Sequence, residues 1–223
     1  MYVPRTYLES LGLKRGLPMI FVHTPKCGGS FIAHAVGRRR ERHCFTRRHP
    51  ALQGHKTYLE YRQAFETLGI DITKFVTFSV VRNPWAWHVS FYHYVRGLTG
   101  RDLEDASVEH AILSRLSFSE YLAWVDNPDE PKREGFPTTR NVSDWVVDET
   151  GKIVVDTVMR QETLREDLER FGEKYSLRLN IPTKRVNASK HDDYRKYYRP
   201  ADVDLVRRRH KRDIELFGYD FED

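Results

Sequence analysis

The chain is poor in cysteine: Cys27 and Cys44 are the only two in 223 residues. Two thiols cannot build a disulfide framework, so a small secreted scaffold is excluded and a reducing compartment fits. Long apolar runs are missing as well. No stretch approaches the ~20 apolar residues of a membrane-spanning helix, and the opening segment, MYVPRTYLESLGLKRGLP, holds nothing apolar enough for a signal peptide. A cytoplasmic protein without a membrane span is expected. The nucleotide-hydrolase signature G-x-x-x-x-G-K-[ST] is also absent, since no GK[ST] occurs anywhere in the chain. Internal repeats and an interdomain linker are lacking, and one core can serve a chain of this length, so a single domain is expected.

What is present is ordinary globular material, 39% hydrophobic, 13% aromatic and 31% charged, without the composition of a disordered chain. The net charge of +5 and the isoelectric point near 9.1 favour anionic partners. Arginine is densest at Arg38 to Arg42, Arg47 with Arg48, and Arg207 to Arg212. A nucleic-acid surface would interleave exposed aromatics or carry a recognisable module, and neither accompanies these runs. No nucleic-acid partner is expected; a small anionic ligand is the more economical use of the charge.

The stretch from Met19 to Arg40 organises the rest. Met19, Ile20, Phe21 and Val22 read as a short buried strand, Pro25-Lys26-Cys27-Gly28-Gly29-Ser30 as a turn, and Phe31 to Val36 as the start of an apolar helix. At such a junction the loop N–H groups and the positive end of the helix dipole converge on one point, so an anion is the expected guest. Cys27 there is either a small loop residue or a thiol activated by the helix start. A second strand, Lys74 to Val81, ends at Arg82-Asn83-Pro84, where Asn is a favoured N-cap and Pro a favoured first helical residue. A helix from there through Val95 places Ser90 about two turns in, so Arg82 and Ser90 can reach one anion. Two such units in succession predict an α/β fold: a P-loop-like central parallel β-sheet flanked by helices, with ligands at the carboxyl ends of the strands.

Elsewhere the pattern predicts a helix over His55 to Leu68, a surface excursion over Gly97 to Glu109, and a short helix opened by the capping box Ser117 to Glu120. Asn127 to Arg140, with three prolines, reads as a long loop. Asp144 to Met159 reads as a hairpin around Glu149-Thr150-Gly151 with Ile153 to Met159 as its second strand, and Glu162 to Tyr175 as a helix. Val203, Val206, His210, Ile214 and Phe217 mark one final amphipathic helix that stops at Gly218.

The order His23-Thr24-Pro25-Lys26-Cys27-Gly28-Gly29-Ser30 resembles the 5'-phosphosulfate loop of sulfotransferases that use 3'-phosphoadenosine 5'-phosphosulfate, and looks most like the branch of the carbohydrate sulfotransferases and their bacterial relatives. Arg82-Asn83-Pro84-Trp85 with Val89-Ser90-Phe91-Tyr92 looks like the 3'-phosphate segment of those enzymes. Val155 to Leu164, Asn187-Ala188-Ser189, Tyr194 to Tyr198 and Phe217 to Phe221 extend the resemblance across nearly the whole chain. Two departures stand out: Ser30 is followed by Phe31 rather than a second hydroxyl residue, and Ala86-Trp87 replaces the Asp-Arg that follows the Trp in many relatives.

The resemblance implies sulfuryl transfer to a hydroxyl, or an amine, of a carbohydrate or other small polar acceptor, without a metal. Pro25, Lys26, Cys27, Gly28, Gly29, Ser30 and Phe31 would hold the 5'-phosphosulfate, with Lys26 on the bridging oxygen. Arg82 and Ser90 would read the 3'-phosphate, helped by Lys190 or Arg195 from a basic C-terminal segment. The product would be adenosine 3',5'-bisphosphate. His55, between the two phosphate segments, is the expected base, because histidine serves that role near neutral pH. His23, which follows the first strand, is expected to orient the loop, while His34, His88 and His93 sit within helices. A P-loop-type kinase or hydrolase, or a non-catalytic nucleotide- or polyanion-binding protein, are the alternatives that the residues leave open.

Overall fold

The computed structural model describes residues 19–36, 52, 54–130, 132, 137–184 and 191–223. The chain divides into two compact units: the chain to Val81 with Ser143–Asn187, and Arg82–Val142 with Ala188–Asp223.

The first unit is an α/β layer built on a three-stranded, wholly parallel sheet in the order β1-β2-β3: β1 (Met19–Val22), β2 (Val76–Val81) and β3 (Thr157–Arg160). Central β2 pairs Phe78 with Phe21 on one side and with Thr157 on the other. Its residues from Thr77 onward are all buried, which is why it reads as a continuous apolar run rather than an alternating one. Helices α1 (Gly29–Val36), α2 (Tyr58–Thr67) and, later in the chain, Leu164–Lys174 flank the sheet. Thr57 caps α2 through a capping box with Glu60, so the helix begins three residues after its expected start and leaves His55 in the loop before it. The expected hairpin is real only at its turn, where Val147 bridges Ile153 antiparallel. Its second strand begins at Thr157 and joins β2 in parallel instead, because Thr77 hands both its main-chain N–H and its hydroxyl to Asp156 Oδ2, at 2.7 and 2.8 Å.

The second unit is helical. It contains α3 (Pro84–Arg96), α4 (Gly100–Asp105), α5 (Ser107–Leu113), α6 (Phe118–Asp126) and, numbering Leu164–Lys174 as α7, the terminal pair α8 (Pro200–Arg209) and α9 (Lys211–Phe217). Asn83 caps α3 as expected, accepting from the N–H groups of Trp85 and Ala86 at 3.0 and 3.3 Å, and Ser117 with Glu120 caps α6. The predicted surface excursion, Gly97 to Glu109, contains α4 and the start of α5, which runs on to Leu113. The single final helix is broken at His210, which is buried in a polar chain with His88, Tyr121 and Asp213. Among the described residues no helix is long and apolar enough to cross a membrane.

Candidate active site

The loop after β1 is held from below. Thr24 lies 3.2 Å from Ser79 through the two hydroxyls, and Ser79 donates to the Val22 carbonyl at 2.7 Å, so the start of the loop is tied to both neighbouring strands. Cys27 donates its N–H to the Thr24 carbonyl at 3.3 Å and is fully buried, which makes it a packing residue of the turn. Lys26 adopts a left-handed backbone with φ +63°. For a residue with a Cβ this conformation is unfavourable by about 1–2 kcal/mol, and such strain persists only where the surroundings impose it.

Both glycines are required by their neighbours. Gly28 has φ +79°, and a Cβ there would run into the Gln161 amide and lie 2.7 Å from Leu164 Cδ2. A Cβ on Gly29 would run into the His23 ring. Helix α1 starts at Gly29, with the N–H groups of Phe31 and Ile32 returning to the Gly28 carbonyl at 2.9 and 3.1 Å. Of the five N–H groups from Cys27 to Phe31, those of Cys27 and Phe31 therefore serve the turn itself. The helix start directs its early N–H groups outward along the axis, the arrangement that receives an anion.

His55 stands beside this loop. Its Nδ1 lies 3.0 Å from the His23 carbonyl. A carbonyl only accepts, so in the neutral ring Nδ1 carries the proton and Nε2 is the basic nitrogen. The His55 ring sits 4.4 Å from that of His23 and meets the Trp145 edge at 6.2 Å, which fixes its plane although the residue is exposed. His23 in turn stacks on Phe21 at 5.0 Å and Phe21 on Phe78 at 5.1 Å, while Phe78 meets Phe171 at a tilt of 44°, 4.8 Å away. A column of rings thus runs from the core of the first unit to the histidine expected as base. His23 is its pivot, touching the loop through Gly29 and His55 through both ring and carbonyl.

The other expected site residues belong to the second unit. Arg82 is half-buried just ahead of the Asn83 cap, and Ser90 is buried within α3. Arg195 lies in a 3-10 turn, Tyr194–Tyr197. Its guanidinium meets the Asp193 carboxylate at 3.2 Å, the Glu222 carboxylate at 3.4 Å and the Glu222 and Asp223 carbonyls at 2.5 and 2.6 Å, so it is committed to the chain terminus. Lys190, Asn187 to Ser189, Cys44 and the runs Arg38 to Arg42 and Arg47-Arg48 lie outside the described residues. His34 is exposed and bonds the Ser30 carbonyl at 2.7 Å. His88 is buried, and burial together with the neighbouring His210 holds it well below the ordinary histidine range. His93 is lowered by burial and by His191. Trp145 and Gln161 were not expected at the site. Nothing local marks Trp145, and Gln161 is signalled only by its place at the carboxyl end of a strand.

A small parallel sheet flanked by helices, whose first strand runs into a glycine loop and a helix start with a histidine alongside, defines an α/β protein with a backbone arrangement suited to an anion. The chain belongs to the sulfotransferase family, whose model matches residues 13–220. No curated protein and no solved structure matches it.

Proposed function

We propose that the protein transfers a sulfuryl group from 3'-phosphoadenosine 5'-phosphosulfate to a hydroxyl, or an amine, of a carbohydrate or other small polar acceptor. The sheet and loop are then P-loop-like in use, with lysine ahead of the glycines rather than after them. The observation that carries the reading is the pairing of a strained, glycine-tight loop at a helix start with a histidine whose Nδ1 is held by the His23 carbonyl. The donor supplies an SO3 unit on a phosphate leaving group, and transfer between oxygens through a loose transition state needs positioning and charge stabilisation more than covalent catalysis.

The loop from Pro25 to Phe31 binds the 5'-phosphosulfate, with the N–H groups of Gly28 and Gly29 and the Ser30 hydroxyl as its donors. Lys26 brings its ammonium to the bridging oxygen and stabilises the charge that gathers there as the S–O bond to phosphate breaks. His55 Nε2 takes the acceptor proton as the new S–O bond forms. Arg82 and Ser90 take the 3'-phosphate, which distinguishes this donor from other adenine nucleotides. Arg195 can join them only by leaving its carboxylates, and Lys190 is the other candidate. The closest acceptor class is the one the carbohydrate sulfotransferase resemblance implies.

Transfer of labelled sulfuryl from the donor to a panel of glycan, alcohol and amine acceptors, in the presence of a metal chelator, tests the reading. Transfer without added magnesium is expected. Nucleoside triphosphate turnover that depends on magnesium, or nucleotide binding with no transfer to any acceptor, refutes it. Arg82→Ala should weaken adenosine 3',5'-bisphosphate by about 2–5 kcal/mol, the scale for unpairing a desolvated charge, and leave adenosine 5'-phosphate nearly unchanged.

A further inference from the structure

Gln161 follows β3 directly, at the end of the sheet where parallel α/β proteins bind their ligands. Its main chain is fixed on two sides. Its own N–H donates to the Val81 carbonyl at 2.8 Å, and the N–H of Arg160 donates to Asp167 Oδ2 at 2.8 Å. The side chain reaches Gly28 of the phosphate loop closely enough that a Cβ there would collide with Oε1. That oxygen is buried and has no hydrogen-bond partner among the described residues.

A buried amide oxygen without a donor destabilises the fold, and an apolar side chain of the same shape would fill the space without that loss. Leu164 already lines the same contact with Gly28, so apolar packing suits the place. The amide therefore stands there at a cost to stability, the pattern expected of a group whose partner is a ligand. The last torsion of glutamine is broad, and the two ends of its amide have the same shape, so the group turns over easily.

We infer that Gln161 is a donor-binding residue: with phosphosulfate in the loop, the amide turns and Nε2 donates a hydrogen bond to an anionic oxygen above Gly28. The inference rests on the proposed placing of the donor's 5' end in that loop. It makes Gln161 the grip on the first glycine from β3, as the His23 ring is the grip on the second from β1. No bond is made or broken at Gln161; it orients the group that is transferred.

Gln161→Met tests this, because methionine keeps the length and shape and removes the amide. Calorimetric titration with 3'-phosphoadenosine 5'-phosphosulfate and with adenosine 3',5'-bisphosphate is combined with thermal unfolding of the unliganded chain. The variant should melt at or above the wild-type temperature and bind the donor about 10- to 100-fold more weakly, the scale of one hydrogen bond to a charged group. Gln161→Glu, which sets a negative charge against the anion, should bind more weakly still, and it decides the matter if the methionine variant does not fold. Wild-type donor affinity in either variant overturns the inference. Wild-type protein that binds neither nucleotide overturns the underlying placing of the donor, an outcome distinct from normal wild-type binding with an unaffected Gln161→Met.

Discussion

Gly29→Ala tests how the glycine loop after β1, His23 and His55 are joined. The added Cβ would meet the His23 ring, with Cδ2 at 2.8 Å and the two atoms beyond it nearer still. The ring has little room to retreat, because Phe21 stacks on it at 5.0 Å and His55 lies at 4.4 Å. Forcing one more carbon into such a layer costs about 1–3 kcal/mol. Alanine's better helix propensity offsets less than about 1 kcal/mol of that at a first helical position. The net loss is about 1–2 kcal/mol, which for a chain of this size lowers Tm by about 2–8 °C. Activity should suffer more than stability. The ring that moves is the one against His55, the proposed base, and a displacement near 1 Å costs on the order of 10²-fold in kcat. Scanning calorimetry with initial rates at saturating donor measures both. Gly29→Ala combined with His23→Ala restores room for the Cβ, so part of the Tm should return while kcat stays low. A Gly29→Ala single variant with wild-type Tm and kcat would refute the coupling.

Lys26→Ala should lower kcat by about 10²- to 10³-fold, the scale of one lost transition-state donor, in steady-state sulfuryl-transfer assays. His55→Ala should cost roughly 10²- to 10⁴-fold in kcat, and full activity at neutral pH would remove His55 from the role of base. Asn83→Ala removes the cap of α3 and the hydrogen bond from Asn83 Nδ2 to the Asp220 carbonyl at 2.7 Å; it should destabilise by about 0.5–2 kcal/mol in urea unfolding. His88, held uncharged by burial, has a folded pKa below its unfolded value, so the unfolded chain binds the extra proton. Its contribution is present in full above the unfolded value near 6.5 and falls as pH drops below it, so unfolding midpoints taken from pH 7.5 down to 4.5 should decline, and His88→Phe should flatten the decline.

Features fixed by neighbours in sequence were legible, and those fixed across the fold were not. The Asn83 cap, the Ser117–Glu120 box and the apolar run of β2 are local signals; the two caps lie where the pattern puts them, and β2 begins at Val76, two residues after its expected start, because Lys74 closes a 3-10 turn. The Thr57–Glu60 box was equally local, yet the apolar period carried the helix back past it to His55. At the end of the chain the spacing of Val203, Val206, His210, Ile214 and Phe217 runs straight through the break. What interrupts the helix is a buried polar chain: the Tyr121 hydroxyl lies 2.9 Å from His88 Nδ1, His88 Nε2 lies 2.9 Å from His210 Nε2, and His210 Nδ1 lies 3.0 Å from Asp213 Oδ2. Asp213 also accepts the Val142 N–H at 2.9 Å. Burial raises the Tyr121 phenol well above its ordinary range, so it remains a donor, and with neutral His88 every link can be satisfied in one direction. No periodicity reveals such a chain. At the site, the glycine turn between β1 and α1 was legible, whereas the contacts that tighten it, from His23 and Gln161, come from strand ends and required the fold.

The pairing of Thr77 with Asp156 joins positions 79 residues apart. On a translating ribosome, which adds about 5–20 residues per second, β2 would wait roughly 4–16 s for its second neighbour. Through that interval an apolar strand has an open edge, the situation in which nascent chains pair with the wrong partner. A holdase chaperone that covers this edge during the interval should therefore raise the yield of folded protein.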